Sequence, residues 1–412
     1  MRSQTNISAR NARLTLFISF LNDLAFVIPV WLLFSMDELG LSATLATALF
    51  MTIWLGSGLL EVPTGALADR LGRRRMFLIG IALLSLYPLV YIFELPVIVI
   101  FLVSLVTAFG SALRSGALIP LVHDAYKKEG RSDRDYHNFL SSEKTITFIA
   151  RALSGVTGGI LYAFEPHIPY IAMFLTYIGM FLAALFIVDK SERSTLSNKA
   201  HITDTLKAMW RTPLIVTLFV TCIAYMVTTE AIWTGYQVFF ADDGLSPEII
   251  GAIFSGIAVL SALGAYSTRF IMRRWGVLRI EIAIGTTTFI TALMLWPPWE
   301  AARVAAVIPM GFAIGIASTP VIATIQKYIK PKFHSTALSI YGLMLYGMYG
   351  AVSIYAGILI DLAGIATTRT ILLVQAAITA VFLIGYYYFN ARKDKIISPK
   401  EEVSVEAADT AV

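Results

Sequence analysis

Long apolar runs separated by short polar turns dominate the chain. They cover roughly residues 14–35, 43–68, 76–93, 97–122, 145–164 and 168–188, then 213–240, 247–271, 280–297, 304–326, 335–360 and 370–390. A membrane-crossing helix needs about 20 mostly apolar residues, so the pattern predicts an all-α integral membrane protein of twelve transmembrane helices. The longest polar connection, 189–212, divides the runs six and six. The expected organisation is an amino-terminal six-helix bundle over 1–188, a cytoplasmic linker over 189–212 and a carboxy-terminal six-helix bundle over 213–390. A charged, apolar-poor tail over 391–412 is expected to be cytoplasmic and disordered.

Composition agrees with the pattern. Hydrophobic residues make up 57% and charged residues 14% of the chain, which excludes an ordinary soluble domain. The formal net charge of +5 does not point to nucleic acid, because 28 of the 32 Lys and Arg fall in segments on one side of a twelve-helix layout. Only Arg303 and Arg369 fall on the other side, and Arg114 and Arg151 lie within runs. The opposite turns carry Asp37, Glu38, Glu94, Glu165, Asp242, Asp243, Glu300 and Asp361. The positive-inside rule then puts both termini in the cytoplasm, in a cell membrane. The single cysteine, Cys222, excludes an intrachain disulfide. The first run leads into Asp37-Glu38 without a small-residue cleavage site, so no cleaved signal is expected.

One stretch concentrates charge at a turn: Glu61-Val-Pro-Thr-Gly-Ala-Leu-Ala-Asp-Arg-Leu-Gly-Arg-Arg-Arg75. Gly58, Glu61, Gly65 and Asp69 share one helical face, small and polar, which suits close contact with another helix. Gly65, Asp69, Arg70, Gly72, Arg73 and Arg74 fill a G-x3-D-R-x-G-R-[KR] pattern, by which the chain resembles the major facilitator superfamily of transporters. Glu61-x-Pro63-Thr64-Gly65 is similar to a bacterial, multidrug-efflux-like branch of it. The resemblance implies two pseudo-symmetric six-helix halves around a cavity lined by helices 1, 4, 7 and 10, with 3, 6, 9 and 12 outside. It also implies that the motif gates alternating access, Asp69 meeting the helix N-terminus of the eleventh run. That run offers Gly342, Gly347, Gly350 and Gly357 as a small-residue face. Arg269, Arg273, Arg274, Gly276 and Arg279 echo the motif after the eighth run, without the aspartate.

Two departures from the family pattern stand out. The Gly-Pro-x-x-Gly-Gly element of drug antiporters reads Ser154-Gly155-Val156-Thr157-Gly158-Gly159 here, with the proline lost. On the fourth run, Ser115 to Asp124 matches a related pattern with Ile119 in place of a glutamate and His123 in place of a tyrosine.

Five charges stand well inside the runs: Asp23, Glu61, Arg114, Arg151 and Glu230. Each costs several kcal/mol in hydrocarbon unless paired or hydrated, so each is a functional candidate. Asp23 and Arg114 are expected to pair across the cavity, beside Asn22, and Glu61 and Arg151 to form a structural network. Glu230 has no local counter-ion, and desolvation favours its protonated form. Together Asp23, Arg114 and Glu230 are the candidates for proton coupling and substrate contact. Trp233, Tyr236 and Gln237 follow Glu230 at helical spacing, and aromatic faces beside a carboxylate suit an organic cation. The ninth run has a charge only at its beginning and reads as peripheral.

The expectation is a proton-coupled exporter of small amphipathic or cationic molecules, acting as a monomer in the bilayer without cofactor, metal or nucleic acid. An importer or uniporter of a nutrient uses the same fold. An intramembrane enzyme is disfavoured: no His-Glu-x-x-His, paired catalytic aspartate motif or nucleotide-binding glycine loop is present, and no catalytic residues are assigned.

Overall fold

A computed structural model of the protein describes residues 7–115, 117–189, 199–275, 277–329 and 334–394. Gly116, Gly276, residues 190–198 of the expected linker and 395–412 of the expected tail lie outside the described residues. The described residues fold mainly as helices. The first span is α1 (Ile7–Asp23) and α2 (Trp31–Asp37), broken at 24–30. The second is α3 (Ala43–Leu71), and the third is α4 (Arg73–Leu84) with α5 (Leu86–Ile92). The fourth is α6 (Val97–Arg114) with α7 (Leu118–Lys128), the fifth α8 (Asp133–Phe164) and the sixth α9 (Ile168–Ala184). After α10 (Lys199–Trp210), which is helical within the expected linker, come α11 (Pro213–Asp242), α12 (Pro247–Trp275) and α13 (Val277–Leu295). Then follow α14 (Glu300–Ala305), α15 (Val307–Tyr328) and α16 (His334–Asp394).

Among the described residues eight stretches are long and apolar enough to cross a membrane. One of them, Ala337–Tyr388, holds two crossings, because α16 bends at Gly364, where φ is 75°. The broken first span, the 17-residue α9 and α13 supply the other crossings of the twelve-helix bundle. Pro63 and Pro320 lie inside α3 and α15, where each removes a backbone donor. α8 begins at Asp133, well before the apolar run at 145, because Ser132 and Asp135 form a capping box that starts the helix in polar sequence. Likewise α16 continues to Asp394, past the expected boundary at 390.

The alternating direction of the spans gathers the Lys- and Arg-rich turns at one end, here the basic end, and the acidic turns at the other. Contacts confirm the grouping. At the basic end Arg73 pairs with Asp124 at 2.9 Å, and Asn11 exchanges hydrogen bonds with Val188. At the acidic end Asp243 pairs with both Arg303 and Arg369, and His167 bridges Glu94 and Glu165 at 3.0 Å each.

The two halves meet at the acidic end. Asp361 accepts the backbone N–H groups of Ala43 at 2.9 Å and Thr44 at 2.8 Å, at the start of α3. Gln237 donates to the Ile28 carbonyl and accepts from Leu32 N–H, each at 3.0 Å, clasping the break between α1 and α2. Ser255 on α12 donates to Ala152 O at 2.6 Å and accepts Val156 N–H at 2.9 Å. Around it Gly155 and Gly159 of α8 touch Gly251 backbone to backbone, so closely that a Cβ on any of the three would collide. The largest buried apolar cluster fills the same end, from Val30 and Phe34 to Phe239 and Ile360. Towards the basic end these approaches thin out: Gly350 packs on Leu55 and Gly58 on Tyr346, but Gly342 and Gly347 have open space beside them. The helix-11 glycine face is therefore used only in its acidic-end part.

Candidate functional site

The turn after α3 is built for a tight reversal. Gly72 adopts φ 101° and ψ 132°, a conformation side chains rarely take. It lets Arg73 reach Asp124 at the end of α7. Arg74 is held three times at the end of α9: its N–H reaches Asp189 at 3.1 Å, its Nε Ala184 O at 3.2 Å and its Nη2 Leu185 O at 2.6 Å. Of Gly65, Asp69 and Arg70 only the helical backbone is described, and the same holds for Arg269, Arg273 and Arg274 of the second-half echo. His123 is half exposed beside Asp124, with its ring edge-on to Tyr136.

The amino-terminal charges converge where two helices break. α1 stops at Asp23 and α6 stops at Arg114, each giving way to several non-helical residues before the span resumes. A carboxylate at a helix C-terminus is opposed by the helix dipole, so Asp23, only 8% exposed, requires a cation. Arg151 of α8 supplies it, Nε to Oδ1 at 2.6 Å. Asn22 donates to the other Asp23 oxygen at 3.3 Å and accepts from the Arg114 guanidinium. The result is one connected chain, Arg114–Asn22–Asp23–Arg151, in which the Arg114 Nε remains without a partner. This corrects the expected pairing. Asp23 bonds to Arg151 rather than to Arg114, and Asn22 stands between the carboxylate and Arg114. Glu61 is not joined to Arg151; it is exposed, with Ser115 donating at 3.4 Å. Close backbone packing of Gly80 against Gly110 and Arg114 fixes α4 on α6 at this level.

In the other half Glu230 makes no ion pair among the described residues. It accepts from the buried Ser353 hydroxyl at 3.2 Å, and Ser353 also meets Thr234 at 2.9 Å. Trp233 is half-buried against Tyr236 and Phe254, with ring centroids 5.5 and 5.6 Å away. Tyr236 and Gln237 are each 1% exposed. In this conformation they are buried within the packed acidic end, and the Gln237 amide is taken up by α1 and α2.

Sequence reading passed over Glu281. It opens the ninth run and was expected to be peripheral, yet it is 1% exposed and accepts from Thr221 of α11 at 3.2 Å. The signal was present: Glu281, Ile284, Thr288 and Ala292 share one helical face, and all four are buried. Among the described residues no three His, Cys, Asp or Glu side chains converge as metal ligands.

The family model described as Major Facilitator Superfamily matches residues 14–353 and 226–409. A search of curated proteins by sequence found no match. Among solved structures, the chain is similar to a mutant of the nucleoside transporter NupG, with TM-score 0.77, 12% identity, and 91% of this chain and 99% of that one covered. It is also similar to a bacterial homolog of the human lysosomal transporter Spinster, described as inward-facing and unoccupied, with TM-score 0.69, 12% identity and coverage of 92% and 96%. A D-xylose–proton symporter matches with TM-score 0.63, 13% identity and coverage of 92% and 96%. At such identity the likeness is one of fold, and the match of the family model across most of the sequence carries the assignment. The chain belongs to the major facilitator superfamily, a family of multi-pass membrane transporters.

Proposed function

We propose that the chain is a proton-coupled exporter of small amphipathic or cationic molecules, working by alternating access as a monomer. It sits in the cell membrane with its basic end in the cytoplasm, as the distribution of Lys and Arg favours. In that orientation the closely packed acidic end faces outward, which favours an inward-facing arrangement. Asp69, Arg70 and the Gly72-Arg73-Arg74 turn act in gating, and Asp23, Arg114 and Glu230 in coupling or substrate contact.

The observation that carries this reading is the contrast between the two halves. The Asp23 carboxylate is already neutralised by Arg151, whereas Glu230 has only hydroxyl partners. A carboxyl without a cation in a mostly apolar bundle can take either a proton or a cationic ligand, which is the competition an antiporter needs.

Proton-driven uptake of a polar metabolite is the competing reading. It is favoured by the lost proline in Ser154–Gly159 and by the excess of guanidinium over carboxylate in the Arg114–Asn22–Asp23–Arg151 chain. The test uses purified protein in liposomes under an imposed pH gradient, with ethidium as the probe cation. Export coupling predicts ethidium movement against the direction of proton flow, and loss of that pH dependence in Glu230→Gln. Flux that ignores the gradient in the wild type would sink the reading, and movement of a neutral sugar probe with the proton would favour uptake.

A further inference from the structure

Glu281 is a buried acid that the site described above does not use. It lies one turn into α13, about 6 Å of helix rise from the basic end. Its Oε2 accepts from Thr221, and its Oε1 is buried with no partner. Among the described residues the groups facing it from neighbouring elements are uncharged. α11 presents Thr221, Cys222 and Tyr225, and α16 presents Tyr341. The nearest cations are engaged or remote. Arg279 on the same helix donates to Tyr387 at 3.2 Å. Lys327 of α15 lies over the Tyr328 ring, and Arg303 of α14 pairs with Asp243 at the opposite end. On α12 the side chains of Arg273 and Arg274 lie outside the described residues, but the carboxyl itself makes no ion pair.

An ionised carboxylate there would be a buried charge with no counter-ion among the described residues. Thr221 is thus the one hydrogen-bond partner of the carboxyl among the described residues. Polar side chains also lie on the α11 and α16 faces beyond it. The Tyr225 hydroxyl is 3.4 Å from Cys222 Sγ and 3.4 Å from Ala317 O. Tyr349 stands within electrostatic reach of both Cys222 and Glu230.

We propose that Glu281 is a second proton-binding carboxyl of the carboxy-terminal half, placed between the basic-end surface and Glu230. Its proton comes from water at the basic end, forming the O–H bond on the carboxylate, and returns to water at the same end. No other bond changes. The proposal rests on the proton-coupled reading only for its role in transport; the proton site itself is independent of the substrate.

Infrared difference spectra of the full-length protein in lipid vesicles, recorded across a pH series, test it directly. The expected result is a protonated-carboxyl band that disappears with one-proton pH dependence. It is absent in Glu281→Gln, retained in Glu230→Gln, and moved in midpoint by about one pH unit in Thr221→Val, which removes only the hydroxyl partner. In pyranine-loaded liposomes, Glu281→Gln should slow proton movement at least tenfold. Absence of a Glu281-dependent band overturns the proposal, as does a band that persists unchanged through alkaline pH, which would mark a fixed structural acid. If the wild type moves no protons under any gradient and the band still titrates, the coupling reading fails while the proton site stands.

Discussion

Asp361 fastens the two halves at their closed end, and removing its charge should release them measurably. The carboxylate accepts the N–H groups of Ala43 and Thr44 at 2.9 and 2.8 Å, so it caps the first turn of a helix in the other half. Loss of such a cap costs about 0.5–2 kcal/mol. Asp361 is solvent-exposed, which screens the charged part of the interaction and places the expected loss near 1 kcal/mol. That corresponds to about a fivefold change in the balance between closed and open arrangements of the acidic end. Ser42 still caps α3 through Leu45 N–H, so the helix survives and the change reads as opening. Spin labels on Phe164→Cys and Trp299→Cys would report it: both side chains are exposed, in different halves at the acidic end. The native Cys222 is buried and stays unlabelled. Asp361→Asn should raise the long-distance population about fivefold, and Thr44→Ala, which removes a hydroxyl partner but keeps both backbone bonds, should raise it less. Identical distance distributions in wild type and Asp361→Asn would refute the reasoning.

Gly251→Ala should open the same end by a different route, because its Cβ would run into the Gly155 carbonyl and the Gly159 backbone; overpacking of this kind costs about 1–3 kcal/mol, readable with the same labels. Arg151→Ala should lower thermal stability in detergent more than the double variant Asp23→Asn/Arg151→Ala, since the single change strands a buried carboxylate; a coupling of about 0.5–3 kcal/mol is expected, towards the lower figure because Arg151 is partly exposed. Additive effects would mean that the pair contributes nothing. Asp23→Asn alone should abolish gradient-driven transport and spare downhill exchange, both measured in liposomes. Asp69→Ala should shift labels at the basic end towards the parted arrangement, opposite in sign to Asp361→Asn; an unchanged distance there, with altered substrate affinity, would move the motif from gating to binding.

The fold was legible because hydrocarbon imposes one rule everywhere: each crossing must be a long apolar helix with its backbone satisfied internally. Run length and the placement of Arg and Lys were enough to count spans through the breaks after Asp23 and Arg114. Partner choice was not legible in the same way. Depth along a helix suggested that Asp23, Glu61, Arg114 and Arg151 share a layer, but depth says nothing about azimuth. The pairing of Asp23 with Arg151 depends on where α1 ends and how Ser154 and Gly158 let α8 approach it. Glu281 was missed for the opposite reason. Its position at the beginning of an apolar run looks interfacial in one dimension, and only the packing of α13 on α11 turns it inward. Gln237 was read as a cavity residue from its spacing after Glu230, a spacing that equally suits a clasp on the broken first span.

The geometry of α3 and the first part of α16 shows why one aspartate on each could govern opposite ends. The two helices run antiparallel: Asp361 meets Ala43, Gly357 meets Ala43 and Thr47, Gly350 meets Leu55, and Tyr346 meets Gly58. Each step along one is matched by a step back along the other. Continued in the same register, Asp69 comes level with Ser335, in the first turn of α16, which begins at His334. Both aspartates therefore sit near the C-terminal end of their own helix segment, where the dipole disfavours a negative charge, and level with the N-terminal end of the other, where it favours one. Such a charge is stabilised only by its partner helix, so it weights contact between halves rather than the fold of its own half. In this structure the α16 aspartate is seated at the acidic end, while the glycines nearest the other junction, Gly342 and Gly347, face open space. If the halves rock about the contacts near Leu55 and Gly350, seating Asp69 requires unseating Asp361, because one rigid pair of helices cannot close at both ends while a substrate passes between them. The two carboxylates then act as opposed weights on a single equilibrium, and the double variant Asp69→Ala/Asp361→Asn should return the acidic-end distances close to those of the wild type.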